Sequence, residues 1–337
     1  MAITGVCLIL FVTFHVLMNS VALFWPAAYN VVCEFLGANW YALVASMGLA
    51  LLFIIHIFYA VWLTLQNRRA RGNDRYAIAG AAPGVAWSSK NMLVLGIVIF
   101  CFLVVHMIQF WSKMQLQELI SHDLNALPVV ADAPASPAMG TLFIQLAFQC
   151  WWTPVVYIIG FVALWFHMNH GFWSMFQTIG WNNQIWIERL KKIGCWWTSI
   201  VVALFIAQAV LFTVQAHNNF FLTDPALVEQ YGEFWEDKSA DLLDEFRAET
   251  AVLDQTDPTA AQEFFAARGE YYADQADAIQ KYAGIQAPGY AGENLSQMGQ
   301  FGQFMRMRAG SAKKNIEAQA TPSEDLDGVE ETENTNE

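Results

Sequence analysis

Five stretches of the chain, roughly 2–24, 40–66, 91–113, 152–178 and 194–216, are each long and apolar enough to cross a bilayer, which takes about 20 mostly apolar residues. None holds Lys, Arg, Asp or Glu away from its ends. The charges are pushed elsewhere, and unevenly. Residues 1–217 carry six acids against nine Lys or Arg, and residues 218–337 carry 24 acids against eight. The net charge of −13 is therefore +3 for the first part and −16 for the second. Only 14 % of the chain is charged, where soluble domains hold about a quarter. This excludes an ordinary soluble enzyme, and the absence of a basic face excludes a nucleic-acid binder.

Tryptophans mark the ends of the spans, as an interfacial belt does: Trp25, Trp40, Trp87, Trp111, Trp151, Trp152, Trp181, Trp196 and Trp197. The loop after the second span holds Arg68, Arg69, Arg71 and Arg75, and the loop after the fourth holds Arg189, Lys191 and Lys192. The positive-inside rule puts both in the cytoplasm. With five spans, the amino terminus is then cytoplasmic and the carboxyl-terminal tail lies outside. The first span lacks a basic leader, and His15 and Asn19 interrupt its apolar core, so it reads as a retained span and not a cleaved signal. Cys7, Cys33, Cys101, Cys150 and Cys195 have no paired spacing, which argues against a disulfide framework or a zinc or iron–sulfur site.

The chemistry-bearing feature is four histidines in mid-span, one on each of the first four spans: His15, His56, His106 and His167. Ionisable side chains inside a bilayer are costly, and they mark functional sites by default. Counting 1.5 Å per residue, His15 and His106 stand about 20 and 22 Å from the cytoplasmic ends of their spans, and His56 and His167 about 15 and 16 Å. Two level pairs result. Two imidazoles facing one another at one depth are the donor set for a haem iron held from both sides, which leaves no open coordination position and suits electron transfer. His170, three residues after His167, is placed to meet a haem propionate or a neighbouring side chain. His122 and His217 read as surface histidines. The glycines Gly48, Gly96, Gly160 and Gly171 near the histidines are consistent with close helix packing. A different class of function, a proton-coupled membrane transporter relaying protons through its histidines, uses the same residues.

The first span reads Thr-Gly-x-x-Leu-x-x-Phe-x-x-x-His-x-x-x-Asn from Thr4 to Asn19. The fourth reads Phe166-His167-Met168-Asn169-His170-Gly171-Phe172-Trp173-Ser174, continuing to Gly180-Trp181. With one histidine in each of the second and third spans, residues 1–217 resemble the dihaem cytochrome b subunit, the membrane anchor, of bacterial succinate:quinone oxidoreductases. That family comprises succinate dehydrogenases and fumarate reductases. The resemblance implies an all-α, five-helix membrane bundle holding two b haems in the bacterial inner membrane. His56 and His167 would bind the proximal haem, and His15 and His106 the distal one. It further implies a cytoplasmic flavoprotein with FAD, an iron–sulfur subunit, and a membrane quinone, usually menaquinone, reacting at the outer side. A dimer of the whole complex is compatible with it.

Two departures stand out. Family members begin with a short cytoplasmic lead bearing Ser and basic residues, whereas here Met1 is already inside the apolar stretch. The acidic tail has no counterpart in the pattern. Glu34, the one acid of the loop between the first two spans, falls near where some family members carry a functional Glu, which makes it a candidate for quinone proton transfer. In the tail, 226–250 and 259–283 have helical spacing, carried by Leu242, Leu243 and Phe246 and by Phe264, Phe265 and Tyr272, with Pro258 starting the second. From about 285 the Gly-, Gln- and acid-rich sequence predicts disorder.

Overall fold

The computed structural model describes residues 1–71, 87–120, 135–181, 183–254 and 257–320, and every regular element in them is helical. Five helices are long and apolar enough to cross a membrane, so the chain is a multi-pass membrane protein by length and composition. They are α1 (Ala2–Phe24), α3 (Trp40–Arg71), α5 (Met92–His106, extended by a π-helical turn Met107–Trp111), α8 (Trp152–Ile179) and α9 (Gln184–His217). Between them lie the shorter α2 (Pro26–Gly37), α4 (Trp87–Lys90), α6 (Gln115–Ile120) and α7 (Gly140–Phe148). After α9 come α10 (Phe220–Thr223), α11 (Pro225–Ala251), α12 (Pro258–Gln286) and α13 (Glu293–Ala320). The chain divides into two compact units: Met1–Tyr231 with Ile285–Pro288, and Gly232–Gly284 with the residues from Gly289 on.

The expected spans are all helices, with two extensions. The second and fifth run on beyond the apolar stretch, because polar helix formers such as Arg68 and Arg69 or Glu188 and Lys191 continue the helix where the lipid ends. The start of α9 at Gln184 is set by Asn183, whose side chain accepts the Ile185 N–H at 2.9 Å. The basic segment expected as a loop at 179–193 is therefore mostly the first turns of α9. On α3, Leu51, Ile54, Phe58 and Trp62 are exposed, as a lipid-facing stripe should be. Trp25, Trp40, Trp151 and Trp181 are likewise exposed at or near helix ends, and Trp196 is exposed well inside α9.

Polar side chains join the spans. Gln208 on α9, buried, donates to the Val16 carbonyl and to Ser20 Oγ of α1, both at 2.9 Å. Trp165 of α8 donates to Ser199 Oγ of α9 at 2.9 Å. Without a hydrophobic force between helices in lipid, such bonds and close packing hold the bundle. A run of rings, Phe161 on Phe205 (5.0 Å), Phe148 on Tyr157 (5.2 Å), Phe148 on Phe212 (5.8 Å) and Phe212 on Phe221 (6.3 Å), fills the centre.

Two segments expected as plain loops are helices. α2 follows α1 at once because Pro26 occupies its first turn, where a missing N–H costs nothing. α7 is buried almost throughout, with Leu142, Phe143, Ile144 and Phe148 each under a tenth exposed. The two approach closely: a Cβ at Gly140 would collide with Tyr29 and Cys33 of α2. Asn30 accepts from both the backbone N–H and the hydroxyl of Thr141, at 3.0 and 2.8 Å, and donates to Gln230 at 3.0 Å. Tyr231 donates to Thr141 Oγ1 at 2.6 Å; burial pushes its hydroxyl pKa well up, which keeps it a donor.

The second unit corrects the expectation of disorder from about 285, since Glu293–Ala320 is the helix α13. Its Met298, Met305, Ala309 and Ala312 are buried, and Gly269 and Gly302 sit where a Cβ would crowd the facing helix. Small residues that resemble a linker composition are here what lets α12 and α13 approach. Glu236 accepts the Asn294 and Leu295 backbone N–H groups at 2.8 and 2.9 Å, closing the start of α13. Residues 321–337 lie outside the described residues.

Arg268 ties α12 to α11 through Glu245 (2.8 Å) and Glu249 (2.7 Å), and Tyr272 also donates to Glu249 at 2.8 Å. The hydrogen bond from Arg268 holds the Glu249 carboxyl below its ordinary 4.5. A depressed folded-state value contributes stability that is complete above the ordinary value and lost as pH falls through the depressed one. Hydrogen-exchange labelling should therefore show α11 and α12 opening more readily as pH drops below 4.5, and Glu249→Gln should flatten that dependence while lowering protection at neutral pH. The pair is partly exposed, so the effect is modest.

Candidate functional site

The four spans bring the histidines together in the two pairs that depth alone implies. His15 of α1 faces His106 of α5 with ring centres 5.8 Å apart, and His56 of α3 faces His167 of α8 at 6.2 Å. The planes are steeply inclined, at 83° and 61°. Two imidazoles each bound at ~2 Å to one metal ion would have centres ~6 Å apart. Both pairs have that spacing.

Hydrogen bonds settle which ring nitrogen is bare. Thr4 Oγ1 donates to the Met1 carbonyl at 3.0 Å, which assigns the contact with His56 Nδ1 at 3.1 Å as an N–H donated by the histidine. Tyr157 donates to Gln109 Oε1 at 2.9 Å, so His106 Nδ1, 3.2 Å from the same hydroxyl, is again the donor. Both rings then carry an unprotonated Nε2, the nitrogen a metal takes; the tautomers are assigned from the bonding network. His15 Nε2 is bare too. Asn19 accepts the Tyr29 hydroxyl proton on Oδ1 at 3.2 Å and turns its amide N–H to His15 Nε2 at 3.2 Å. The same nitrogen could instead hold a metal. Burial and the nearby Cys33 raise the Tyr29 pKa well above its usual range, so it remains a donor. His167 Nδ1 and His170 Nδ1 are buried and meet no hydrogen-bond partner.

The surroundings suit a flat macrocycle more than a bare ion. Among the described residues no group of three or more His, Cys, Asp or Glu is placed to hold a metal. A two-histidine donor set fits an iron that brings its other four ligands in a porphyrin. A Cβ at Gly5, Gly48 or Gly171 would meet nothing within 4 Å, and at Gly96 would only reach His167 Cε1 at 4.0 Å. The residues present fit a bis-histidine haem at each pair. Phe11, Phe102, Phe110, Tyr157 and Phe205 ring the His15–His106 pair at 5.3 to 6.1 Å from one or other imidazole.

Of the other expected site residues, Glu34 stands exposed on α2, and it is Tyr29 of that helix that reaches toward the His15–His106 pair through Asn19. His170 sits edge-on against Trp173 at 4.9 Å, a neighbouring ring. His217 donates back to the Thr213 carbonyl at 2.9 Å and is exposed. His122 lies outside the described residues. Sequence reasoning missed Tyr157 and Gln109. Gln109 follows His106 by three residues, a helical neighbour, and that spacing was the available signal; Tyr157, on another span, left none. No family model, curated protein or solved structure matches the chain.

Gly160 is the close-packing point that sets this geometry. A Cβ there would run into the ring and Cβ of Phe102, which itself lies 5.0 Å from Tyr157 and 6.0 Å from His106, ring to ring. Gly160→Leu should force α5 from α8 and cost about 1–3 kcal/mol, the usual range for overpacking. Thermal unfolding of the purified protein in detergent reads the loss, and Gly171→Leu, where space is open, should cost less.

Proposed function

We propose that the chain is the membrane-anchor cytochrome b of a succinate:quinone oxidoreductase, carrying electrons between a membrane quinone and a cytoplasmic iron–sulfur subunit. The observation that carries the reading is the pairing of four intramembrane histidines, one from each of four spans, with ring centres 5.8 and 6.2 Å apart. Bound between them, two b haems would supply one-electron transfer across the membrane. His56 and His167 hold the proximal site, toward the cytoplasm, and His15 and His106 the distal one. A haem held by a histidine on each side would have no position left for oxygen or substrate, which suits electron transfer. Arg68 and Arg69 near the end of α3, with Arg189, Lys191 and Lys192 near the start of α9, would face the cytoplasm and receive the iron–sulfur subunit. The dicarboxylate chemistry belongs to a partner flavoprotein with FAD.

A histidine relay for protons asks for titratable groups following one another through the membrane. Here the histidines are paired at two levels instead, and the hydroxyls beside them have their protons committed to carbonyl oxygens. That arrangement favours the electron carrier over the transporter. A dithionite-reduced spectrum of the purified chain should show the α band of a b haem, with two haems per chain. His56→Ala and His167→Ala should each remove one and the same haem, and His15→Ala and His106→Ala the other. A colourless protein, or loss of a common haem in His56→Ala and His106→Ala, defeats the reading.

Quinone, menaquinone in this proposal, reacts at the outer side. Glu34, the acid of α2, takes the proton a quinol releases as the distal site receives the electron. Glu34→Gln keeps the shape and removes the base. Quinol-linked turnover should fall at least tenfold, with haem content and succinate oxidation by an artificial acceptor unchanged. Unchanged quinol turnover would return Glu34 to a solvated surface carboxylate.

A further inference from the structure

We propose that Thr4 and Tyr157 are positioning residues, one for each histidine pair, which fix the tautomer of the histidine they touch and lower the reduction potential of the haem it binds. The inference rests on the haem reading above and deepens it. Each pair contains one histidine whose Nδ1–H is received by a hydroxyl: His56 by Thr4 at 3.1 Å and His106 by Tyr157 at 3.2 Å. In each case the hydroxyl's own proton has a separate destination, the Met1 carbonyl at 3.0 Å or Gln109 Oε1 at 2.9 Å. A third group thus offers each hydroxyl proton an acceptor. While the proton rests there, the ring N–H is the donor and Nε2 carries no proton.

The second consequence is electronic. An imidazole that donates its remaining N–H is a stronger base at the opposite nitrogen, and a more basic axial ligand stabilises ferric over ferrous iron. Each hydroxyl thus acts on one potential through one histidine. The two locks differ in reach. The Thr4 lock ends on a backbone carbonyl within its own helix, whereas the Tyr157 lock runs on through Gln109, whose amide donates to Thr153 Oγ1 at 3.1 Å. Thr153 is fully buried, and Gln109 lies on the π-helical turn after His106. His167, which faces His56, has no such acceptor: its buried Nδ1 meets no hydrogen-bond partner.

The test is a redox titration of the purified full-length chain, followed at the α band, with low-temperature EPR of the ferric haems. In Tyr157→Phe the haem that depends on His106 should shift to higher potential, and the haem that depends on His56 should not move. In Thr4→Val the pattern should reverse, and Thr4→Ser should restore the original value. Gln109→Leu keeps the Tyr157 hydroxyl and removes only the acceptor of its proton. It should shift the same haem as Tyr157→Phe, in the same direction and by less, an effect that loss of packing at Tyr157 does not produce. If Tyr157→Phe does not assemble, Gln109→Leu and Thr4→Val carry the test. Two haems with unmoved potentials in Thr4→Val and Gln109→Leu, or shifts of both haems together, overturn the proposal. A parent chain that binds no haem overturns the haem reading instead, and the two failures are distinguished by the spectrum of the unmutated protein.

Discussion

A neutral imidazole has one N–H and one bare nitrogen, and inside hydrocarbon neither can be left to water. Four such rings are placed in four spans of this protein, and much of the bundle is arranged around meeting their demands. Thr4 and Tyr157 accept the N–H of His56 and His106, and Asn19 turns its amide to His15. The rings so held stand in two pairs, His15 with His106 and His56 with His167. Where the demand is unmet, at His167 Nδ1, the site has the character of a binding position more than of a packed core.

The part of the first unit that holds α2 and α7 serves the same arrangement. α2 and α7 are locked by Asn30, Thr141, Gln230 and Tyr231, a group of buried amides and hydroxyls that satisfy one another. This rigid cover fixes Tyr29, Tyr29 orients Asn19, and Asn19 sits on His15. The sequence of contacts runs from a solvent-accessible helix to a ring in the middle of a span. α11 begins in the first unit, at Pro225, and passes into the second after Tyr231, a member of this polar group.

The spans and the histidine pairing were legible in the amino-acid order because each depends on a quantity that is additive along the chain: apolar length for the spans, rise per residue for the pairing. The ends of α3 and α9 were less so, since polar helix formers continue a helix silently once the lipid stops constraining it. α7 was not legible. Its sequence, Gly140 to Phe148, is too short and too uniformly apolar to distinguish from an irregular segment, and its burial depends on Tyr29 and Asn30 more than a hundred residues earlier. α13 was misread for the converse reason: Gly302, Ala309 and Ala312 resemble a linker by composition, and only the facing α12 shows that small size is what the contact requires. Tyr157 was invisible because nothing local distinguishes a tyrosine that accepts a proton across two helices from one that lines a membrane surface.

The π-helical turn at Met107–Trp111 has a bearing on how this span compares with any other. A π turn amounts to one residue inserted into an α-helix. At 3.6 residues per turn, the side chains after Trp111 are rotated about 100° from where an uninterrupted helix would carry them. Gln109 meets Tyr157 inside that shifted segment. An alignment of this third span against a regular one would match the residues around His106 and then fall out of phase, unless a gap of one were opened in mid-membrane. Gaps are seldom allowed there. Kinship in this region is therefore written in two registers, and a comparison that holds to one will see only half of it.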